Sequence, residues 1–201
     1  MKVIGITGGV GAGKSMVLNY LKDKYNACIV LTDDVGRNLQ KKGEPCYEAL
    51  LAHFGNEVLD RDGNLDRAAF AKRIFSDREA LAFTNSLIHP AVKAEIIKAI
   101  KAKRNEGLPY FFIESALLIE DHYEEICDEL WFVHTDELTR KKRLKDQRGY
   151  DEEKSNSIIK QQLCDDEFMK NCDRVIENSG SFEQTMHQID IMISELEETA
   201  D

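Results

Sequence analysis

KVIGITGGVGAGKS, residues 2–15, decides the fold. A short β-branched run stops at a cluster of glycines, and Val17, Leu18, Leu21 and Tyr25 then recur at helical spacing, so the stretch reads as strand, loop and helix. Inside it, Gly8, four intervening residues, Gly13, Lys14 and Ser15 satisfy G-x-x-x-x-G-K-[ST] in the context this pattern requires. The glycines let successive main-chain N–H groups turn inward around phosphate oxygens, and the helix N-terminus that follows adds a favourable dipole. Lys14 then reaches the outer phosphates, and the Ser15 hydroxyl is a ligand for Mg²⁺. The dinucleotide fingerprint G-x-G-x-x-G fails, because Lys14 stands where Gly9 and Gly11 would need a third glycine.

The rest of the chain frames this loop. Its 201 residues suit one core with inserted lobes, and 42% hydrophobic and 32% charged residues are ordinary for a globular protein. No apolar run approaches the roughly 18 residues of a membrane span, so no membrane partner is expected. A net charge of −10 repels phosphate backbones and argues against nucleic acid, RKKRLKDQR at 140–148 being the one basic cluster. The N-terminus lacks the pattern of a secretory signal, and five cysteines form an odd set without a CxxC pair. A cytoplasmic monomer without disulfides or zinc is the expectation.

Four further strands follow the first: ACIVLT (27–32), YFFIE (110–114), ELWFVHT (129–135) and DRVIEN (173–178). Their near-continuous apolar character is that of a parallel sheet covered on both faces. Residues 34–105 carry helical patterns at 46–54, 66–75 and 78–104, the last expected to break near Pro90. Phe182, Met186, Ile189, Ile193 and Leu196 mark a closing helix. The prediction is a three-layer α/β fold with a five-stranded parallel sheet. Its core comprises 1–33, 106–139 and 170–201, with a helical insertion at 34–105 and a small lid at 140–169.

Ligands of such folds bind at the carboxyl ends of the strands, which makes two acids candidates. Asp33, after the second strand, is placed to accept the proton of an attacking hydroxyl or to help hold Mg²⁺, while Asp33 or Asp34 is also a natural cap for a helix starting near Val35. Glu114 ends the third strand, the seat of a metal-holding acid. At helical spacing Arg140, Arg143 and Arg148 span one face, suited to gripping a polyphosphate, with Lys141, Lys142 and Lys145 as solvated charges. LDRDGNLD (59–66) has the composition of a calcium loop, but its glycine is misplaced, so a turn is expected. DRDG there and DDVG at 33–36 match the loose D-x-x-G of GTPases, yet no N-K-x-D guanine reader accompanies them.

With these residues in view, the chain resembles the dephospho-CoA kinases. The likeness runs through ITGGVGAGKS (6–15), DDVGR (33–37), HFG (53–55), IF (74–75), LIHPAV (87–92), ESALLIE (114–120), the arginines of 140–148 and VIENSG (175–180). The resemblance implies a P-loop core, a helical domain holding the coenzyme A substrate, and a lid. It implies that ATP, with Mg²⁺, phosphorylates the ribose 3′-hydroxyl of dephospho-CoA. By position, Gly11, Ala12, Gly13, Lys14, Ser15 and Met16 would contact ATP, the Asn178 region would lie near adenine, and Asp33 would be the base. Arg37 and His89 would serve the substrate, His89 being otherwise a buried helix-end histidine. Arg140 or Arg143 would supply lid charge, and Ser15 and Glu114 would serve the metal. Leu31-Thr32-Asp33 replaces the family's usual Asp-Ala-Asp, and Ala116 replaces its usual proline, which weakens any scheme with two metal-holding carboxylates. The alternatives are another P-loop nucleoside or nucleotide kinase, or a nucleotide-dependent switch or adaptor.

Overall fold

A computed structural model describes residues 1–198, which form two compact units: one runs through Met1–Ile29 and resumes at Lys103, the other is Val30–Ala102. The sheet consists of β1 (Lys2–Thr7), β2 (Cys28–Leu31), β3 (Tyr110–Glu114), β4 (Glu129–His134) and β5 (Arg174–Glu177). Its order is β2-β3-β1-β4-β5, parallel, with β1 at the centre. Ile6 pairs in register with Glu114 on one side and with Trp131 on the other, so the carboxyl ends of three strands meet around the loop that leaves Thr7.

The strands are apolar on both faces because both are covered. Tyr110, Phe112 and Trp131 form a ring series on one face, with centroids 6.2 and 5.8 Å apart, and Tyr25 at the end of α1 (Lys14–Tyr25) meets Tyr110 at 6.3 Å. α9 (Phe182–Glu198) lies against α1 there, with Phe182 edge-on to Tyr20 and Asp190 accepting from the Tyr20 hydroxyl at 2.7 Å. Phe132 alternates with Trp131, points to the other face, and stacks at 4.7 Å on Phe168 of α8 (Asp165–Asn171). Helix, sheet and helix make the three layers expected.

The second unit has its own core. α2 (Thr32–Leu39), α3 (Pro45–Phe54), α4 (Arg67–Phe75) and α5 (Arg78–Asn105) supply most of it. Leu50, Phe54, Val58, Phe70 and Ala80 form a buried cluster, packed further by Leu59, Leu65, Ile74, Phe83 and Leu87.

Two local expectations are corrected. α5 continues through Pro90, although the proline lacks the N–H that would have bonded Ser86 O and its ring crowds that carbonyl, and Pro90 itself is exposed. His89 is therefore a mid-helix residue and not a helix-end one. α2 begins at Thr32, with Leu31 in the capping position and no side-chain cap bond, so Asp33 and Asp34 lie inside the first turn, where the helix dipole favours a carboxylate.

Candidate nucleotide-binding and catalytic site

The loop after β1 is shaped by what grips its carbonyls. Gly8 O accepts from Lys14 Nζ at 2.7 Å, and Val10 O accepts from Arg140 Nε at 3.0 Å. Ala12 O accepts from three donors, Asn178 Nδ2 at 2.7 Å, Thr135 Oγ1 at 2.9 Å and Arg143 Nη1 at 3.3 Å. Holding alternate carbonyls on one side turns the intervening amides to the other, which is how a chain makes an anion-binding concavity. Gly13 then enters α1 with φ at 89° and no side-chain cap, and while the Met16 amide donates to Gly13 O at 3.0 Å, the amides of Lys14 and Ser15 are left for a ligand.

Glycine is required here by contact as well as by conformation. A Cβ at Gly9 would stand 2.2 Å from Arg140 Nη2, and one at Gly13 would stand 2.4 Å from Asn178 Nδ2. At Gly8, with φ of 147°, a Cβ would meet the Val133 carbonyl oxygen at 2.5 Å. A side chain at Gly8 would clash with main chain, and one at Gly9 or Gly13 would displace Arg140 or Asn178 from the loop carbonyl it bonds.

Lys14 lies within 3.5 Å of Glu114 Oε1, their side chains being 15% and 19% exposed. Burial pushes the Lys14 amine below the ordinary lysine range, Glu114 pulls it back up, and the Arg140 and Arg148 charges push it down again. An anionic ligand beside Lys14 would reverse that depression. Thr7 Oγ1, at the strand end before Gly8, is a fully buried hydroxyl without a hydrogen-bond partner.

The three arginines of α6 (Glu137–Arg148) separate by role. Arg140 is 6% exposed and also donates from Nη2 to Gln162 Oε1 at 2.9 Å, the same oxygen that accepts from Val10 N. Burial lowers its guanidinium pKa, with Asp165 and Glu137 opposing. Arg143 donates from Nη2 to Asn178 O at 2.8 Å. Both are thus bonded to the loop and its rim, whereas Arg148 is exposed at the helix end with its charge felt at Lys14. Asn178 is 1% exposed, and its amide is committed to Ala12 and to the hydroxyl of Thr185.

For Mg²⁺ the chemistry of the donor set decides. No group of three or more His, Cys, Asp or Glu able to hold a metal exists among the described residues. Ser15, exposed in the first turn of α1, and Glu114, at the end of β3, offer one hydroxyl and one carboxylate. That fits a cation that takes few protein ligands and completes its shell with water and phosphate oxygens.

The structure thus brings Gly11 through Met16, Glu114, Arg140, Arg143 and Asn178 together. Asp33, Arg37 and His89 belong to the helical unit. There Asp33 is exposed in the first turn of α2, and Arg37 pairs with Asp34 at 2.6 Å. A Cβ at Gly36 would sit 3.5 Å from Val92 and 3.8 Å from Ile88, so α2 meets α5 at the residues flanking His89. Sequence reasoning missed Thr135 and Gln162 as loop supports. Thr135 directly follows a strand end, a usable signal, whereas nothing local marks Gln162.

Comparison with known proteins agrees with this geometry. The dephospho-CoA kinase family profile matches residues 2–184. A dephospho-CoA kinase of Carboxydothermus hydrogenoformans is 35% identical over 94% of this chain and 91% of its own. One of Streptococcus mutans is 32% identical over 98% of both chains. A crystal structure from Thermus thermophilus superposes with a TM-score of 0.82 at 28% identity over 97% of each chain. A phosphate-cradling loop on a five-stranded parallel sheet, joined to a helical unit and matched along nearly its whole length, makes this chain a member of the dephospho-CoA kinase family.

Proposed function

We propose that this protein transfers the γ-phosphoryl group of ATP to the ribose 3′-hydroxyl of dephospho-CoA, giving coenzyme A and ADP. The observation that carries the reading is the loop at residues 8–15, whose carbonyls at Val10 and Ala12 are bonded by residues outside it and whose Gly8 carbonyl is bonded by its own Lys14, in a chain of this family. Amides of the loop and of the first turn of α1 hold the phosphates. Lys14 exchanges the Gly8 carbonyl and Glu114 for the outer phosphates, whose negative charge favours the protonated amine. Ser15 and Glu114 would hold Mg²⁺, which when bound offsets phosphate charge.

Asp33, exposed in the first turn of α2, accepts the proton of the 3′-hydroxyl. Arg148, exposed at the end of α6, is the arginine with a guanidinium to spare for the transferring group, while Arg140 and Arg143 fix the loop. Met16 and the Asn178 region border the nucleotide. Arg37 and His89 serve the acceptor from the helical segment 34–105, and 140–169 acts as the lid. No helix of the described residues is long and apolar enough to cross a membrane; a monomeric, cytoplasmic enzyme without a nucleic acid partner belongs to the same proposal.

Incubation with ATP, Mg²⁺ and dephospho-CoA should give a product heavier by one phosphoryl group in a mass spectrum. Well-folded protein that consumes no ATP and yields no such product would refute the reading.

A further inference from the structure

Within the helical unit, four cations surround one cleft of about 230 Å³: Arg37 on α2, Lys41 and Lys42 just beyond it, and Arg67 at the start of α4. Gln40 and Asn64 add amide groups, and no carboxylate or aromatic ring lines it. In a chain of net charge −10, such a concentration of positive charge is the reverse of the average surface.

The far wall is the DRDGN turn, residues 60–64, which the sequence leads us to expect. Asp60 Oδ1 accepts from the amides of Asp62 and Asn64 at 2.9 and 2.8 Å, Gly63 supplies a φ of 75°, and Gly63 O accepts from the buried Tyr47 hydroxyl at 2.6 Å. Lys42 Nζ donates to Asp62 O at 3.2 Å, so the turn and the post-α2 segment are tied together. Asp66 caps α4, accepting from Ala68 and Ala69 amides at 2.9 and 3.0 Å, which fixes where Arg67 begins. Arg37 is held by Asp34, an exposed pair that gives way readily to a better anion. Lys41 and Arg67 have no ion-pair partner among the described residues.

We infer that this cleft binds the diphosphate of the acceptor. The inference rests on the function proposed above and names a subsite for it. A volume of about 230 Å³ is below the range of pockets that enclose a whole small-molecule ligand, and with no ring to stack on it suits a short anionic group. Asp33 and Arg37, four residues apart, share one face of α2 about 6 Å apart along its axis. In dephospho-CoA the diphosphate hangs from the 5′-carbon of the ribose whose 3′-hydroxyl is phosphorylated, a few bonds away. Cations one turn along from the base therefore hold the group that brings this hydroxyl to Asp33. The diphosphate of a second ATP or ADP has the same chemistry, and kinetics separates the two sources.

Steady-state kinetics of Lys41→Gln and Arg67→Gln make the test. Both side chains are exposed, so melting temperatures should stay at the wild-type value, and should Arg67→Gln unfold, Lys41→Gln decides. Each change should raise KM for dephospho-CoA about tenfold or more, the loss expected for one charge-assisted contact, with kcat and KM for ATP within about twofold. An unchanged KM for dephospho-CoA, or a rise in KM for ATP instead, overturns the inference while leaving the function intact. A wild-type protein inert toward dephospho-CoA removes the function and the inference together.

Discussion

At Gly8, Gly9, Gly11 and Gly13 a Cβ would stand between 2.2 and 3.0 Å from a neighbour, two of those neighbours being main-chain oxygens. At Gly63, in the other unit, the nearest atom is Lys42 Nζ at 3.0 Å, the mobile end of a long side chain. The first loop is held from outside by Thr135, Arg140, Arg143 and Asn178, residues more than 120 positions away that the fold must bring to it. The second is closed by its own Asp60 and tied from within its unit by Tyr47 and Lys42, at most about 20 residues away. A cradle for a triphosphate must present several amides at once, so it is fixed before the ligand comes, whereas a cluster of exposed cations adapts to its anion.

This contrast can be broken in several places. The largest effect belongs to Asp33→Asn, which should lower kcat by about 10²- to 10⁴-fold while ATP affinity measured by calorimetry stays near wild type, since the loop is untouched. A near-normal rate would reduce Asp33 to a dipole-favoured helix residue. Gly8→Ala should do the opposite: a forced clash with the Val133 carbonyl at φ of 147° should cost about 3 kcal/mol of stability in denaturant titration and abolish ATP binding.

A smaller effect follows from Lys14. Its pKa lies below that of an ordinary lysine, so the charge that attracts ATP is complete below that pKa and is lost as pH rises through it. ATP affinity should fall by up to about tenfold per pH unit above that point. Glu114→Gln removes the carboxylate that pulls the amine up, so the fall should begin at lower pH; titration calorimetry across the alkaline range checks both. Smallest is Gly63→Ala, which should cost only about 1 kcal/mol of stability, the price of a left-handed residue, because Lys42 can move aside. A loss equal to that of Gly8→Ala would erase the distinction between the two loops.

Much of this was legible in the sequence, and the reason differs by region. The glycines, Lys14 and Ser15 are adjacent in the chain, and the buried strands announce themselves as unbroken apolar runs. α2 was harder, because Thr32, Asp33 and Asp34 suit a cap as well as a first turn. Pro90 misled, since the 28-residue helix runs on past the hydrogen bond that the proline removes and the carbonyl that its ring crowds. The uses of Arg140 and Arg143 were hidden for another reason. Their partners at Val10 and Ala12 lie about 130 residues away, and a basic run looks the same whether it faces solvent or main-chain carbonyls. The cationic cleft was likewise invisible, being assembled from Arg37, the lysines at 41 and 42, and Arg67 by folding alone.

The central claim is where the phosphate goes. Phosphorus and proton NMR of the product formed from ATP and dephospho-CoA should show a new phosphomonoester coupled to the ribose 3′-proton, absent from Asp33→Asn reactions of equal length. A monoester at any other hydroxyl, or ADP released with dephospho-CoA unchanged, would contradict the account.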